Sequence, residues 1–311
     1  MRTILFRTDS SATIGTGHIM RDLVLASQLE KQYPQAEILF ATQNFKGNIN
    51  HKISESGYEI IELKTNGQDE LIEILKACHV DMLVIDNYEI DYQYELYIKE
   101  HCSVQILAFD DTHEKHNCDI LLNHNISANK KRYKDLVPKN CELRCGAKYT
   151  LLRAEFIKEK KKKEKKTQTK IKTIFLAMGG ADHSNINREI LKVLEKFDNL
   201  KVNVAITTAN RNFKELKSYV QGRKWINLHI NSNKIAKLIK KSDFAIITPS
   251  VTANEVYFMG TPFIAIKTAQ NQDEMYKYLK SKKFLVLENF QDKKLKKAIT
   301  HLLKRENKNV K

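Results

Sequence analysis

Short apolar runs alternate with longer amphipathic stretches along the chain. Thr3 to Phe6 predicts a strand, and Ile19 to Glu30 a helix with Ile19, Leu23, Ala26 and Leu29 spaced toward one face. Ile38 to Ala41, Glu59 to Leu63, Met82 to Ile85, Val104 to Phe109 and Ile120 to Leu122 predict further strands, with helices over Asp69 to Cys78 and Asp91 to His101. A second series follows. Ile171 to Ala177, Val202 to Ile206, Ile226 to His229, Phe244 to Ile247, Phe263 to Ile266 and Phe284 to Leu287 read as strands. The helices between and after them cover Asn185 to Lys196, Phe213 to Val220, Ser232 to Lys240, Val251 to Met259, Asp273 to Lys280 and Asp292 to Lys304. Strands and helices alternating at this spacing build parallel sheets covered on both faces. The expected class is α/β, with two Rossmann-like, doubly wound domains.

Between the two series, IKEKKKKEKKTQTK (Ile157 to Lys170) offers almost nothing to bury. Like charges repel and solvate a chain, so the boundary is expected here. The expected division is an N-terminal catalytic domain over 1–157, a charged boundary segment over 158–170 and a C-terminal domain over 171–311. The tail after Asn289 is expected to form a final helix crossing back over the domains.

Composition narrows the class. The 311 residues suffice for two domains, and 42% hydrophobic with 29% charged residues excludes a disordered chain. No uncharged apolar run approaches a membrane span, and the run before Asp9 is too short for a secretory signal, so a cytoplasmic protein without membrane contact is expected. The five cysteines, Cys78, Cys102, Cys118, Cys141 and Cys145, form no disulfide framework and read as small buried hydrophobes. HEKHNC offers His113, His116 and Cys118 at a tempting spacing for a metal. The net charge of +16 invites a nucleic-acid reading. Yet the excess is lysine rather than arginine and gathers at Lys158 to Lys172 and from Lys293 onward. A solvated face is expected, with no nucleic-acid partner, although the charge can concentrate an anionic small molecule.

The strongest chemical candidate is RTDSSATIGTGHIMRD, a strand end and polar loop that lead through Gly15 and Gly17 into a helix. In open parallel sheets ligands gather at such strand ends, and glycines let backbone N–H groups approach an anion. Gly15 and Gly17 complete neither the dinucleotide fingerprint nor the phosphate loop with its lysine. His18 lies at the helix start, where its imidazole either accepts a proton from water or serves as a cap or surface group. Asp9 and Asp22 either orient His18 or cap backbone groups. Arg7 and Arg21 can contact phosphate, or Arg21 is an ordinary exposed helix residue.

The second half offers a nucleotide side. IFLAMGGAD is a strand followed by a turn in which Gly179 and Gly180 either approach a diphosphate or simply leave the sheet. Asp182 is expected to cap the next helix. In TPSVTANE, Ser250 and Thr252 supply hydroxyls, the helix start supplies N–H groups for phosphate, and Glu255 can accept from both ribose hydroxyls. Asn271 and Gln272 offer neutral donors and acceptors to a sugar or phosphate, or start a helix.

Taken together, these motifs resemble one family. The opening loop, Asp86-Asn87-Tyr88, Phe109-Asp110-Asp111, Cys118 to Asn123, Arg144-Cys145-Gly146, Met178 to Asp182 and Ala253-Asn254-Glu255 follow in order over roughly residues 1 to 290. They are similar to the landmarks of the UDP-2,4-diacetamido-2,4,6-trideoxy-beta-L-altropyranose hydrolases of pseudaminic-acid synthesis. The chain departs from that pattern at Asn87, where the family form is Asp-His-Tyr. The resemblance implies a B-type glycosyltransferase fold with two domains facing a cleft. It also implies metal-independent hydrolysis without a cofactor: water attacks the anomeric carbon with inversion and UDP departs, in preparation of a sugar for flagellin or surface glycosylation.

His18 is then the expected base. Gly15, Gly17, Arg21, Asp86, Tyr88 and Asp110 are expected on the substrate from the first domain, although Asp86 and Asp110 can instead maintain loop geometry. Gly179, Gly180, Ser250, Thr252, Asn254, Glu255, Asn271 and Gln272 are expected there from the second. A monomer is expected. The competing readings are an inverting UDP-sugar glycosyltransferase, in which His18 deprotonates an acceptor hydroxyl, and a non-catalytic UDP-sugar-binding protein.

Overall fold

The computed structural model describes residues 2–11, 13–162, 170–179, 182, 185–208 and 210–308. The chain divides into two compact units, Met1–Leu152 and Arg153–Lys311.

The first unit runs β1 (Thr3–Thr8), α1 (Gly17–Gln32), β2 (Glu37–Gln43), α2 (His51–Glu55), β3 (Glu59–Leu63) and α3 (Gln68–Ala77). It continues through β4 (Met82–Asp86), α4 (Tyr92–His101), β5 (Gln105–Phe109), β6 (Ile120–Asn123) and β7 (Glu142–Cys145). The sheet is parallel in the order β3-β2-β1-β4-β5-β6-β7. β1 lies between β2 and β4, with Leu5 opposite both Leu39 and Leu83, and all six of its residues are buried. The period of two sends Leu5, Leu83 and Ile85 into one core and Ile4, Phe6, Met82 and Val84 into the other. Ile19, Leu25, Ala26 and Leu29 bring α1 onto the second of these cores. Strand order reverses between β1 and β4, so the loops that leave their C-terminal ends open beside each other, the usual ligand position of such sheets.

The second unit begins with α5 (Ala154–Lys161), then β8 (Lys172–Ala177), α6 (Ile186–Leu194), β9 (Leu200–Ile206), α7 (Phe213–Val220), β10 (Ile226–Ile230) and α8 (Ile235–Lys240). β11 (Phe244–Ile247), α9 (Val251–Met259), β12 (Phe263–Ile266), α10 (Asp273–Ser281), β13 (Leu285–Leu287) and α11 (Asp292–Lys308) complete it. Its parallel sheet has the order β10-β9-β8-β11-β12-β13, and the switch falls between β8 and β11.

Two elements depart from the pattern read along the chain. β7 is an edge strand of sequence ELRC with no residue fully buried, so it carries no apolar run. α2 has five residues and buries Ile53 alone. The start of the charged segment is helical: α5 packs against α8 and α9 and buries Phe156, while the Lys240 ammonium donates to the carbonyls of Glu159 and Lys162. Most of the segment that follows lies outside the described residues. The terminal helix, for which a crossing back was expected, lays Leu295, Ala298, Ile299 and Leu302 into the C-terminal core. Among the described residues no helix is long and apolar enough to cross a membrane.

Candidate active site

Beyond β1 the chain folds back on itself. Ser11 and Gly15 exchange two main-chain hydrogen bonds (3.3 and 2.9 Å), and Ser11 Oγ accepts from the N–H groups of Thr13 (3.2 Å) and Ile14 (2.9 Å). Gly15 closes this turn at φ +88°, a conformation costly to any residue with a Cβ. A Cβ placed on Gly15 or Gly17 would meet nothing within 4 Å among the described residues, so the backbone here faces open space. Helix α1 starts at Gly17 without a side-chain cap from Thr16. Its first turn delivers His18 to the end of β4.

His18 is buried, and its Nδ1 lies 3.2 Å from the carbonyl oxygen of Asp86 and 3.5 Å from Asp86 Oδ1. A carbonyl only accepts, so this contact places the proton on Nδ1 and leaves Nε2 with its lone pair. The Tyr88 ring stands edge-on to the imidazole, with centroids 5.0 Å apart at 76°.

Asp86 is itself clamped. Arg21, one helical turn beyond His18, donates from Nε to Oδ2 and from Nη2 to Oδ1, each at 2.5 Å. Its Nη1 reaches Asp111 Oδ2 at 3.4 Å, and Asp111 Oδ1 accepts from the Tyr88 hydroxyl at 2.9 Å. Burial resists charge on Asp86, but the Arg21 guanidinium outweighs it and holds the carboxyl below its ordinary value. Asp22 goes the other way. It is fully buried, and burial first, then the charge on Asp86, pushes its carboxyl well above the ordinary carboxylate range. Burial and the charge on Arg21 likewise push His124 down to about 4, so this second imidazole is uncharged. Arg21 thus favours the ionised carboxylate of Asp86 against the catalytic candidate, while burial disfavours charge on Asp22 and His124 beside it.

A second buried network holds the two loops in place. Arg7 on β1 is wholly buried, pairs with Asp9 Oδ2 at 2.7 Å and donates from Nη2 to Asn66 Oδ1 at 2.8 Å. Asp9 accepts from the Gln43 N–H (2.7 Å) and from Asn87 Nδ2 (3.0 Å). The carboxylate that follows β1 therefore ties down the residue between Asp86 and Tyr88.

In the second unit the loop from β11 into α9 carries a Thr248 Oγ1 to Ser250 Oγ contact of 2.9 Å. Ser250 precedes the helix without capping it through its side chain, and Val251 in the first turn is 52% exposed. The uncapped end of α9 is consequently an electropositive surface. Asn254 is buried one turn in. Glu255 Oε1 accepts from Arg153 Nη2 at 3.1 Å, and Arg153 also pairs with Glu155 at 2.9 Å. Burial pushes the Glu255 carboxyl up against the opposing influence of Arg153.

The chain is 38% identical over 283 residues to the UDP-2,4-diacetamido-2,4,6-trideoxy-beta-L-altropyranose hydrolase of Campylobacter jejuni, spanning 91% of this chain and 98% of that protein. The chain belongs to this hydrolase family. A further relative, the uncharacterized protein MJ1062 of Methanocaldococcus jannaschii, is 31% identical over 88% of this chain and 57% of its own length. No family model matches. Among solved structures, MurG of Acinetobacter baumannii superposes with a TM-score of 0.67 at 12% identity, covering 98% of this chain and 92% of that one. The UDP-GlcNAc 2-epimerase of Neisseria meningitidis bound to UDP-GlcNAc gives 0.63 at 11%, with the same coverages. These likenesses show the fold, two Rossmann-like lobes of the B-type glycosyltransferase kind.

In this hydrolase-family chain several residues read as substrate contacts are engaged inside the protein. Arg21 is neither an exposed helix residue nor free for phosphate, because Asp86 and Asp111 take its guanidinium. Arg7 is sealed in the sheet. Asp110 accepts from the N–H groups of Thr112, His113 and Glu114, which makes it the organiser of its own loop. Gln272 Oε1 accepts from the Thr268 N–H at 2.8 Å and so shapes the turn after β12, beside an exposed Asn271. Asp182 caps α6 through the N–H groups of Ile186 and Asn187.

Tyr88, 60% exposed beside His18, remains open to a ligand. Gly179 turns the chain out of β8 at φ +80°, whereas Gly180 lies outside the described residues. The HEKHNC side chains separate, with His116 on Glu95 at 2.7 Å and His113 stacked on Tyr133. Sequence reasoning sought the orienting partner of His18 in Asp9 or Asp22 and missed Asp86 in that role. It also missed Asp111, His124 and Arg153. Asp111 had a signal in its place next to Asp110, but Arg153 had none.

Proposed function

We propose that the protein hydrolyses UDP-2,4-diacetamido-2,4,6-trideoxy-beta-L-altrose, the compound named in its Campylobacter jejuni relative, and that the products are UDP and the free sugar. One observation carries the chemistry: the Nδ1 contact with the Asp86 carbonyl, which leaves Nε2 of His18 as a proton acceptor. Water gives its proton to Nε2 as its oxygen bonds to the anomeric carbon. The bond from that carbon to the diphosphate oxygen breaks on the opposite face, and its electron pair leaves with UDP. The configuration inverts. The imidazolium so formed sits 3.5 Å from Asp86 Oδ1, a carboxylate that Arg21 has already aligned.

The leaving group needs electrostatic support rather than a proton donor. The α9 start, with the Ser250 and Thr252 hydroxyls, receives the diphosphate, and Glu255 accepts from the ribose hydroxyls while Arg153 retains its Oε1. Gly15 and Gly17 leave the loop before His18 open to the sugar, and Tyr88 packs against it. The same reading makes the protein a cytoplasmic monomer in pseudaminic-acid synthesis that takes no nucleic acid. Sedimentation and a duplex-binding assay at near-physiological salt check the last points.

The decisive experiment incubates the protein with this UDP-sugar alone and follows the released anomer by NMR before mutarotation. Release of UDP and inverted free sugar is expected. Dependence of turnover on an added acceptor would instead make it a transferase. His18→Asn should lower the single-turnover rate by about 10²–10⁴ while leaving UDP affinity intact, and near-normal turnover refutes the base.

A further inference from the structure

Away from the His18 end of the first sheet, two cysteines meet where β6 and β7 begin. Cys118 lies two residues before Ile120, and Cys141 directly precedes Glu142. The Glu142 N–H donates to the Asp119 carbonyl at 2.8 Å, so the two chain segments run side by side. Ile120 pairs with Glu142, so the two cysteines sit on adjacent segments one residue out of step, just before the paired strands. The sulfurs are 3.7 Å apart and both thiols are free. Both positions lie outside the paired residues of β6 and β7, so a bond between them breaks no ladder pairing.

The two thiols are not equivalent. Cys118 is 1% exposed and Cys141 half-buried, so a reagent reaches Cys141 first. The hydrogen bond from Cys118 foremost, helped by the Leu121 N–H and the His116 ring, favours the Cys141 thiolate. The contact with Cys141 and burial hold Cys118 in its thiol form. An attacking thiolate at the surface with a resolving thiol behind it is the arrangement that thiol–disulfide exchange requires.

We propose that Cys118 and Cys141 form a reversible thiol–disulfide couple whose oxidant is a low-molecular-weight disulfide. The Cys141 thiolate attacks one sulfur of the reagent, its S–S bond breaks, and one reagent thiolate leaves. Cys118 then loses its proton to solvent and attacks Cys141 Sγ of the mixed disulfide, releasing the second reagent thiolate. In sum two protein thiols are oxidised by two electrons, and one reagent disulfide is reduced to two thiols. The new bond pins β7, the edge strand, to β6.

The test incubates the full-length protein with oxidised glutathione, quenches in acid, alkylates under denaturing conditions and maps the peptides by mass spectrometry. Two of the five thiols should be lost, with Cys118 and Cys141 in one cross-linked peptide pair. Dithiothreitol should restore both, and the oxidised form should melt about 5 °C or more above the reduced one. Cys118→Ala should trap glutathione on Cys141, whereas Cys141→Ser, at the half-buried position, should leave Cys118 alkylatable. Five alkylated thiols after incubation, a bond joining any other pair, or glutathione carried by Cys118 in Cys141→Ser would overturn the proposal.

Discussion

Asp86→Asn isolates the charge that faces His18. The substitution keeps the main-chain carbonyl that accepts from Nδ1, and with it the tautomer, but removes the carboxylate 3.5 Å from that nitrogen. Two unit charges at that separation attract by about 5 kcal/mol at an effective dielectric of 20, appropriate for side chains as enclosed as these. The attraction acts only when His18 has taken the proton, so the loss falls on the transition state. It corresponds to a fall of about 10³- to 10⁴-fold in kcat/KM, with the whole plateau of the pH–rate profile lowered. The same change leaves the Arg21 guanidinium only its longer contact with Asp111, at a cost of up to about 3–5 kcal/mol of stability. Urea unfolding must therefore show a folded variant under the assay conditions. UDP affinity is a second control, since the nucleotide contacts proposed above belong to the other unit. Steady-state release of UDP is the readout. A folded variant with normal UDP affinity and kcat/KM within about tenfold of the parent would refute the role assigned to Asp86.

Two further outcomes follow from the geometry. Glu255→Gln should weaken UDP binding about 10- to 100-fold by calorimetry, as a charged acceptor for the ribose is lost, and unchanged affinity rejects the ribose contact. His116 gives a pH signature: burial opposes its charge, but the Glu95 carboxylate outweighs burial and raises it above an ordinary histidine. A raised folded value means the stabilisation is complete below the unfolded pKa of about 6.5 and is lost as pH climbs through the folded value. Unfolding free energy should therefore decline on the alkaline side, His116→Gln should flatten that decline, and identical slopes for both proteins would dismiss the pair.

The sheets were legible because β1, β4, β5, β8, β11 and β12 are continuous apolar runs, as strands buried on both faces must be. β7 escaped because an edge strand needs no such run. His18 could be located from the strand-to-helix turn before it. Its surroundings could not, because they join α1 to β4 and to the loop after β5 across 65 to 90 positions of sequence. Arg21 and Asp110 looked like ligand contacts since a charged residue at a strand end reads the same whether it meets substrate or another part of the chain. Only the fold reveals that Asp86 and the Thr112 to Glu114 backbone occupy them.

The Arg7–Asp9 pair has a consequence for how this sequence can change over time. Removing either partner strands the other charge in the sheet at about 3–5 kcal/mol, a large part of the roughly 5–15 kcal/mol that keeps a domain folded. A lineage can leave this arrangement only by exchanging both positions together, or by first gaining stability elsewhere. Random mutagenesis of the first strand should therefore recover substitutions at residues 7 and 9 as linked pairs, long after neighbouring apolar positions have sampled several alternatives.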